Sequence, residues 1–555
     1  MKKPLIAIVA ILAVLVASFL YVRSQMGIGD PARLLPPGTV AFSALPDLPR
    51  SIMRWPKTTL ARIGAEPEMK AFMEKPLAFL QRERGGDEAI DILLGLKPAR
   101  LYAAALSVEG SQPAMLVGFQ FWGGRGEFDK AIARLRAQLY GAVNPEPTRE
   151  SHQGAEILST PLTGGGTLYS ATQSRWGFLS NNREALLQSL DRAAGRNVEP
   201  ALADDPAYTK VLARLPEGSD FLGFVRPGPV LDALLAFAAT MGAKPDENQV
   251  EQVKKAEAAG FAIKIDGSDL RDAVFILRQE PPEIGKLTHQ GIQFTTAGTL
   301  AYFDFLFRLD SLAEIASPWM AGLPAAPDGS SVGLESLPLA IGNEAAVIVD
   351  WPAESIRPGV ALTVPIKDPV IAESLINRFS ALLPETTVRD VNGLKFYGFP
   401  SLRSAFLNPT LAMGDGFLVA GLDVPDVEAA LAGREKPETL EGSAAFAPAL
   451  PIFRAANETF GFLDSKAVFE RAFPALRQII VFGAALMPGV DEIVDASKLP
   501  ATETISKHLT PIVLSQSRFP DGYLVESAGP VTMLQVAAAA AGGGTAFFGP
   551  SILGR

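Results

Sequence analysis

The 555-residue chain contains no cysteine. That absence excludes disulfides, thiolate-bound metals, cysteine nucleophiles and a lipid-modified N-terminal cysteine. Histidine is almost as scarce: His152, His289 and His508 are the full set, too few for a histidine-rich metal site. Charge is sparse as well, with 50 basic and 60 acidic side chains giving a formal net charge of −10 and no long basic run. Phosphate backbones demand clustered Lys and Arg, so nucleic acid is not an expected partner. No cofactor is expected either.

What the chain does have is apolar material, 48% of residues, including 32 Phe. At roughly 100–200 residues per domain, a chain this long builds about three to five packed units. The N-terminus is the most legible part. Met1-Lys2-Lys3-Pro4 precedes an uncharged run from Leu5 to Val22, which ends at Arg23. As a helix, residues 5–22 extend about 27 Å, close to the ~30 Å of a hydrocarbon core. Two lysines before the run, against one arginine after it, predict a cytoplasmic N-terminus and an external body. A cleaved signal peptide is the competing reading, because Val16-Ala17-Ser18 supplies small residues. Phe19-Leu20-Tyr21-Val22 prolongs the apolar run beyond that site, which favours a retained anchor. The expectation is a single-pass protein of the bacterial inner membrane with its body in the periplasm. The alternative is secretion to the periplasm after cleavage.

The remaining chain reads as an internal duplication. A strand over Ala114–Phe121 leads to a helix with Phe128, Ile132, Leu135 and Leu139 on one face. The same order returns with strand Val360–Val364 and helix residues Ile371, Leu375, Phe379 and Leu382. His152–Ile157 corresponds to Val391–Phe396, Trp176–Leu179 to Asp415–Leu418, Asp205–Tyr208 to Ser443–Phe446, and Leu222–Val225 to Phe460–Leu463, at offsets of 238 or 239. Gly38-Thr39 and Gly298-Thr299 open a looser match at another offset. Both halves close with a hairpin, one turning at Asp266-Gly267 and the other near Pro520-Asp521-Gly522, where Gly supplies positive φ without steric cost.

The predicted fold is α+β: two tandem related halves, each a mostly antiparallel sheet with helices on one face, behind an N-terminal transmembrane helix. The predicted segments are 1–30 (anchor and linker), 31–290 (first half), 291–528 (second half) and 529–555 (uncharged Ala/Gly-rich tail). The join falls near residues 280–295, where Glu280-Pro281-Pro282-Glu283 interrupts regular structure. The tail, uncharged from Ser527 to Gly554, reads as flexible or docked, with a second membrane contact over 530–549 as the alternative.

Candidate chemistry is thin. Gly329-Ser330-Ser331-Val332-Gly333 fits the Gly-x-Ser-x-Gly pattern, but the loop Leu323–Asp328 precedes it where a strand is needed, and only His508 follows. Trp122-Gly123-Gly124-Arg125-Gly126-Glu127 sits where a phosphate loop belongs, yet lacks the third glycine. The equivalent turn, Pro365–Pro369, manages without glycines, with Asp368 as N-cap and Pro369 as first helical residue. Asp491-Glu492-Ile493-Val494-Asp495 and Asp204-Asp205 group carboxylates without the pattern of a calcium loop, and acids at helix starts explain them. No catalytic, cofactor or metal residue is predicted.

Three features together resemble a large family of uncharacterised exported bacterial proteins catalogued as a domain of unknown function. They are the apolar N-terminus, the opening Leu35–Phe42 with Pro46-Asp47 behind it, and the ending Ile505–Leu509 followed by Asp521–Ser527 and an apolar tail. The resemblance implies no activity and carries over no functional residue. The expected function is a non-catalytic, membrane-tethered scaffold or binding module outside the cytoplasm, with an envelope protein as partner. The alternative is a periplasmic carrier or sensor of a lipid-like ligand, the Phe residues supplying its lining. A serine hydrolase built on Ser331 is a remote third reading.

Overall fold

The computed structural model describes residues 29–84, 92, 95–108, 113–122, 124–140, 146–162, 165–196, 199–240, 247–278, 285–309, 333–352, 354–404, 407–486, 493–532 and 535. The apolar run 5–22, the Glu280–Glu283 join, Ser331, Asp491 and Glu492 lie outside these residues, as does nearly all of the tail after Thr532.

Among the described residues, twenty strands form one sheet. The first ten are β1 (Ala41–Leu45), β2 (Pro98–Ser107), β3 (Ala114–Phe121), β4 (Thr148–His152), β5 (Ala155–Pro161), β6 (Thr167–Gln173), β7 (Trp176–Ser180), β8 (Phe221–Val225), β9 (Ala256–Asp266) and β10 (Asp269–Arg278). The second ten are β11 (Ala301–Leu306), β12 (Glu344–Asp350), β13 (Gly359–Pro365), β14 (Thr387–Val391), β15 (Leu394–Gly398), β16 (Thr410–Gly414), β17 (Phe417–Gly421), β18 (Thr459–Leu463), β19 (Ile512–Phe519) and β20 (Gly522–Gly529). Helices referred to below are α1 (Thr59–Ala65), α2 (Pro67–Arg84), α3 (Arg125–Tyr140), α4 (Arg183–Ala193), α5 (Pro206–Leu212), α6 (Leu337–Ala340), α7 (Pro369–Ser380), α8 (Val424–Arg434), α9 (Leu450–Ala455), α10 (Ser465–Leu486) and α11 (Thr502–Ser506).

Every strand pair is antiparallel, and the pairings run β4-β5-β6-β7-β3-β2-β1-β8-β9-β10 in the first set. The second set runs β14-β15-β16-β17-β13-β12-β11-β18-β19-β20, so each strand has its counterpart ten places on. The sets join through β10 and β20, from Leu270↔Gly529 to Leu277↔Gly522. In the two closing hairpins Asp269 and Gly522 occupy the same position, directly after the turn. Counting from there, Ala273 matches Glu526, and these two residues are also paired with each other. A pseudo-two-fold axis therefore crosses the sheet at that pair.

Local chemistry explains the elements. Asp205 caps α5 by accepting from Ala207 N and Tyr208 N, both at 3.0 Å. Asp368 caps α7 by accepting from Val370 N at 2.9 Å and Ile371 N at 3.1 Å, as expected from the sequence. The Asp266-Gly267 turn places Gly267 at φ 66°, where a side chain is strained.

Helices cover both faces of the sheet, which corrects the one-face expectation. In β3, Leu116 faces a core shared with Leu186 and Leu190 of α4, while Phe119 and Phe121 face Phe128 and Ile132 of α3. In β17, Phe417 and Val419 join Val427 and Ala430 of α8, and Leu418 points to Ala372 and Leu375 of α7. Successive strand residues alternate faces, so strands that are apolar on both need cover on both. The register also corrects one sequence correspondence. The turns are Ser174-Arg175 and Asp415-Gly416, so Trp176 is the counterpart of Phe417, and the matched strings of residues are displaced by two. The first half's contacts end earlier than the 290/291 boundary. Leu287 already lies in the second-half core, and Thr288 N donates to Glu344 at 2.7 Å.

Contacts across the halves are both apolar and polar: Leu524 joins the first-half core, and Phe519 lies against Phe275. Glu66 accepts from His508 Nε2 at 2.7 Å and lies 2.8 Å from Lys507 Nζ, and these hydrogen bonds hold its carboxyl below the usual range. Glu68 at the start of α2 accepts from Ala501 N at 2.8 Å and from Thr504 on α11 at 2.9 Å.

A candidate apolar ligand groove

Beneath α6 and α7 in the second half lies a groove of about 610 Å³. Its walls include Leu337, Leu375, Phe379 and Phe399, its floor Leu411 and Leu418, and among the described residues Thr410 is the one polar side chain in the lining. Ligand sites of this kind span roughly 300–1,000 Å³ and are mostly apolar. Phe379 and Leu402 at its edge are each 46% exposed, so the apolar surface reaches solvent.

The equivalent space in the first half is filled. Phe128 of α3 stacks against Phe119 and Phe121 with ring centroids 5.6 and 6.0 Å away. Matching strand registers place Val364 where Phe119 stands and Ile366 where Phe121 stands. On the inward face of the helix the buried positions Phe128, Ala131 and Ile132 match Ala372, Leu375 and Ile376, so Ala372 takes the place of Phe128. Three rings become three smaller aliphatic side chains, and Ala372, the counterpart of Phe128, lines the groove. The helix faces read from sequence, led by Phe128 and Ile371, are one residue out of register with these buried positions.

The described positions singled out from sequence make local contacts. Arg125, at the start of α3, pairs with Glu156 and lies 3.9 Å from Asp129. Asp205 is engaged by Arg226 at 2.9 Å in addition to its capping role, and Asp204 accepts from Ala201 N at 3.0 Å. Asp495 accepts from Ser497 N at 3.2 Å and lies 3.8 Å from Lys75. Of the Gly-x-Ser-x-Gly string only Gly333 is described, leading into the short turn Leu334–Ser336. Among the described residues no group of three or more His, Asp or Glu is placed to hold a metal ion.

One buried polar set was missed. His289 Nδ1 is 2.6 Å from Asp304 Oδ2, and the Tyr302 hydroxyl donates to the same oxygen at 2.8 Å. Asp304 is fully buried, and burial pushes its carboxyl up even though His289 and Tyr302 oppose that shift. Burial, and then the Asp304 charge, raise the Tyr302 hydroxyl well above its ordinary value. The ring of Phe453 on α9 lies 4.0 Å from the imidazole centroid, so the set is packed into the core. The first-half counterpart of Asp304 is Ala44, an absence no spacing rule would flag.

Among the described residues no helix is long and apolar enough to cross a membrane. No protein-family model matches the chain. No curated protein matches it either. Among solved structures, crystal form I of TP0453 is similar over 46% of this chain and 81% of its own, at 8% identity and a TM-score of 0.26. Crystal form III covers 48% and 84% at 9% identity and TM-score 0.24. Crystal form IV covers 45% and 80% at 11% identity and TM-score 0.24. Similarity at this level carries no argument about function.

Proposed function

We propose that this chain is a non-catalytic, membrane-tethered binding module of the bacterial envelope whose second half holds a lipid-like apolar ligand. The groove beneath α7 carries the reading: among the described residues its lining has Thr410 as its polar side chain and no charge. The described lining holds no Ser, Cys, His, Asp, Glu or Lys. Apolar surface of this kind gains from binding hydrocarbon, at about 0.8 kcal/mol per buried methylene. In this reading residues 5–22 are a retained signal anchor of the inner membrane, and the body stands in the periplasm beside a lipid source. The two halves descend from one duplicated unit, the first kept as a packed core and the second opened as a site. The resemblance to exported proteins of unknown function agrees with that placement.

Titration of the purified chain with a fluorescent fatty acid tests it. Saturable binding that Ala420→Trp removes supports the proposal, because Ala420 lines the groove and is only partly buried. Absence of saturable binding to the native chain removes it.

A scaffold role has its own support in α10. Between Pro474 and Gly483 the helix exposes Leu476, Ile479, Val481 and Phe482, with Arg477 the only charge. An apolar stretch of this size fits a protein contact. Crosslinking in intact cells that depends on Ile479 and Phe482 tests this second reading.

A further inference from the structure

We infer that the ligand is an anionic single-chain lipid lying across the strands, its head at the outer rim of the groove and its chain running toward the pseudo-two-fold axis. This rests on the groove reading above and extends it. From β16 to β19, strand registers place Leu411, Ala420, Leu362, Val347, Phe303, Gly461 and Leu514 each directly opposite the next. Direct cross-strand partners share a face, so these residues form one continuous apolar row. At ~4.8 Å between strands, its six intervals measure about 29 Å. A hydrocarbon core of ~30 Å is filled by two opposed chains, so the row is ample for one.

The row joins two hollows. Leu411 and Ala420 belong to the groove. Phe303, Val347, Gly461 and Leu514 belong to a shallower apolar hollow of about 190 Å³. Leu362, 36% exposed, bridges them, and neighbouring Phe303 is 37% exposed. Large apolar side chains in the middle of a sheet normally lie under other elements; these two face outward. The first half does not repeat this path. Its corresponding row places Ser170 opposite Leu179, then Val117, Ala103, Ser43, Gly223 and Phe261. Two serines interrupt it, and the Phe261 ring lies so close over Gly223 that a Cβ there would meet it at 2.1 Å.

The two ends differ in charge. At the inner end Leu514 stands opposite Ser527, whose N–H donates to buried Asp272 at 3.1 Å, a polar stop. At the outer end, exposed Arg403 follows Leu402 of the lining. Arg403 has no ion-pair partner among the described residues. On a chain of net charge −10, this exposed cation complements an anionic head. Carboxylate and phosphate heads share that chemistry.

The test uses the full chain held in amphipol, with fatty acids of about 8 to 18 carbons displacing a fluorescent one. Each added methylene is expected to raise affinity about fourfold, at ~0.8 kcal/mol each, up to roughly 16 carbons. In Leu362→Asn the rise is expected to stop near ten carbons while short chains bind as in the native protein, which also reports an intact groove. A native profile that levels off at ten carbons, or a Leu362→Asn profile that coincides with the native one, overturns the extended path. Failure of every chain length to bind removes the groove reading itself. Arg403→Glu is expected to weaken a fatty acid, a lysophosphatidic acid or both at least tenfold, and the one affected names the source. Unchanged affinity for both overturns the anionic head.

Discussion

Arg214 of the first half donates to the Asp521 carboxylate of the second at 3.1 Å while its guanidinium lies 4.0 Å from the Phe519 ring centroid. Beside this contact, the Arg278 N–H donates to the Asp521 carbonyl at 2.9 Å, so the second closing hairpin is gripped by residues of the first half. The halves share one sheet, and this cluster fixes the turn of β19 and β20 against β10.

Loss of Arg214 is therefore expected to loosen the seam. The Arg214 and Asp521 side chains are 33% and 35% exposed, so solvent screens the pair. Arg214→Ala should cost about 1 kcal/mol, most of it from the ring contact. Urea denaturation reads this directly, and hydrogen exchange should quicken at Ser517–Tyr523 before the strands further out.

The packed and open versions of the same layer predict opposite mutational effects. Phe128→Ala empties a site enclosed by Phe119 and Phe121, and should cost about 3–5 kcal/mol. The double change Val364→Phe with Ala372→Phe places rings where the first half has Phe119 and Phe128. It should leave stability within about 1.5 kcal/mol of native while removing lipid binding. Thermal unfolding and a binding titration on the same samples check both halves of this statement.

Asp304 gives a pH signature. Its carboxyl is held above the ordinary value of 3.8, chiefly by burial. The folded state therefore keeps the proton to higher pH than the unfolded chain does. Across the window from the ordinary value to the raised one, the folded state binds more protons, so stability falls as pH rises. Asp304→Asn should flatten that slope. Denaturant midpoints taken across the acid range, for native and variant, measure it; parallel curves would contradict the assignment.

Much of this architecture was legible in the sequence, because antiparallel strands joined by short turns announce themselves locally. Ala114–Phe121 and the hairpin at Asp266-Gly267 stand where the alternation and turn residues put them. The pairing of β10 with β20 was not legible. It joins strands some 250 residues apart, and nothing in either strand's alternation names its partner. The second layer was obscured for a related reason: strands apolar on both sides read as buried without saying what buries them. The groove was not legible, since the helix faces read from sequence set Ile371 against Phe128, whereas the buried positions set Ala372 there, and Ala372 lines the groove. His289, Tyr302 and Asp304 are close in sequence, yet an αL backbone at His289, φ 57°, is what turns the imidazole onto the carboxylate.

Native mass spectrometry of the protein extracted from cells in mild detergent tests the central claim most directly. The account predicts one single-chain lipid per native molecule and none in Ala420→Trp. A native protein that carries no lipid, or a variant that retains it, would contradict the account.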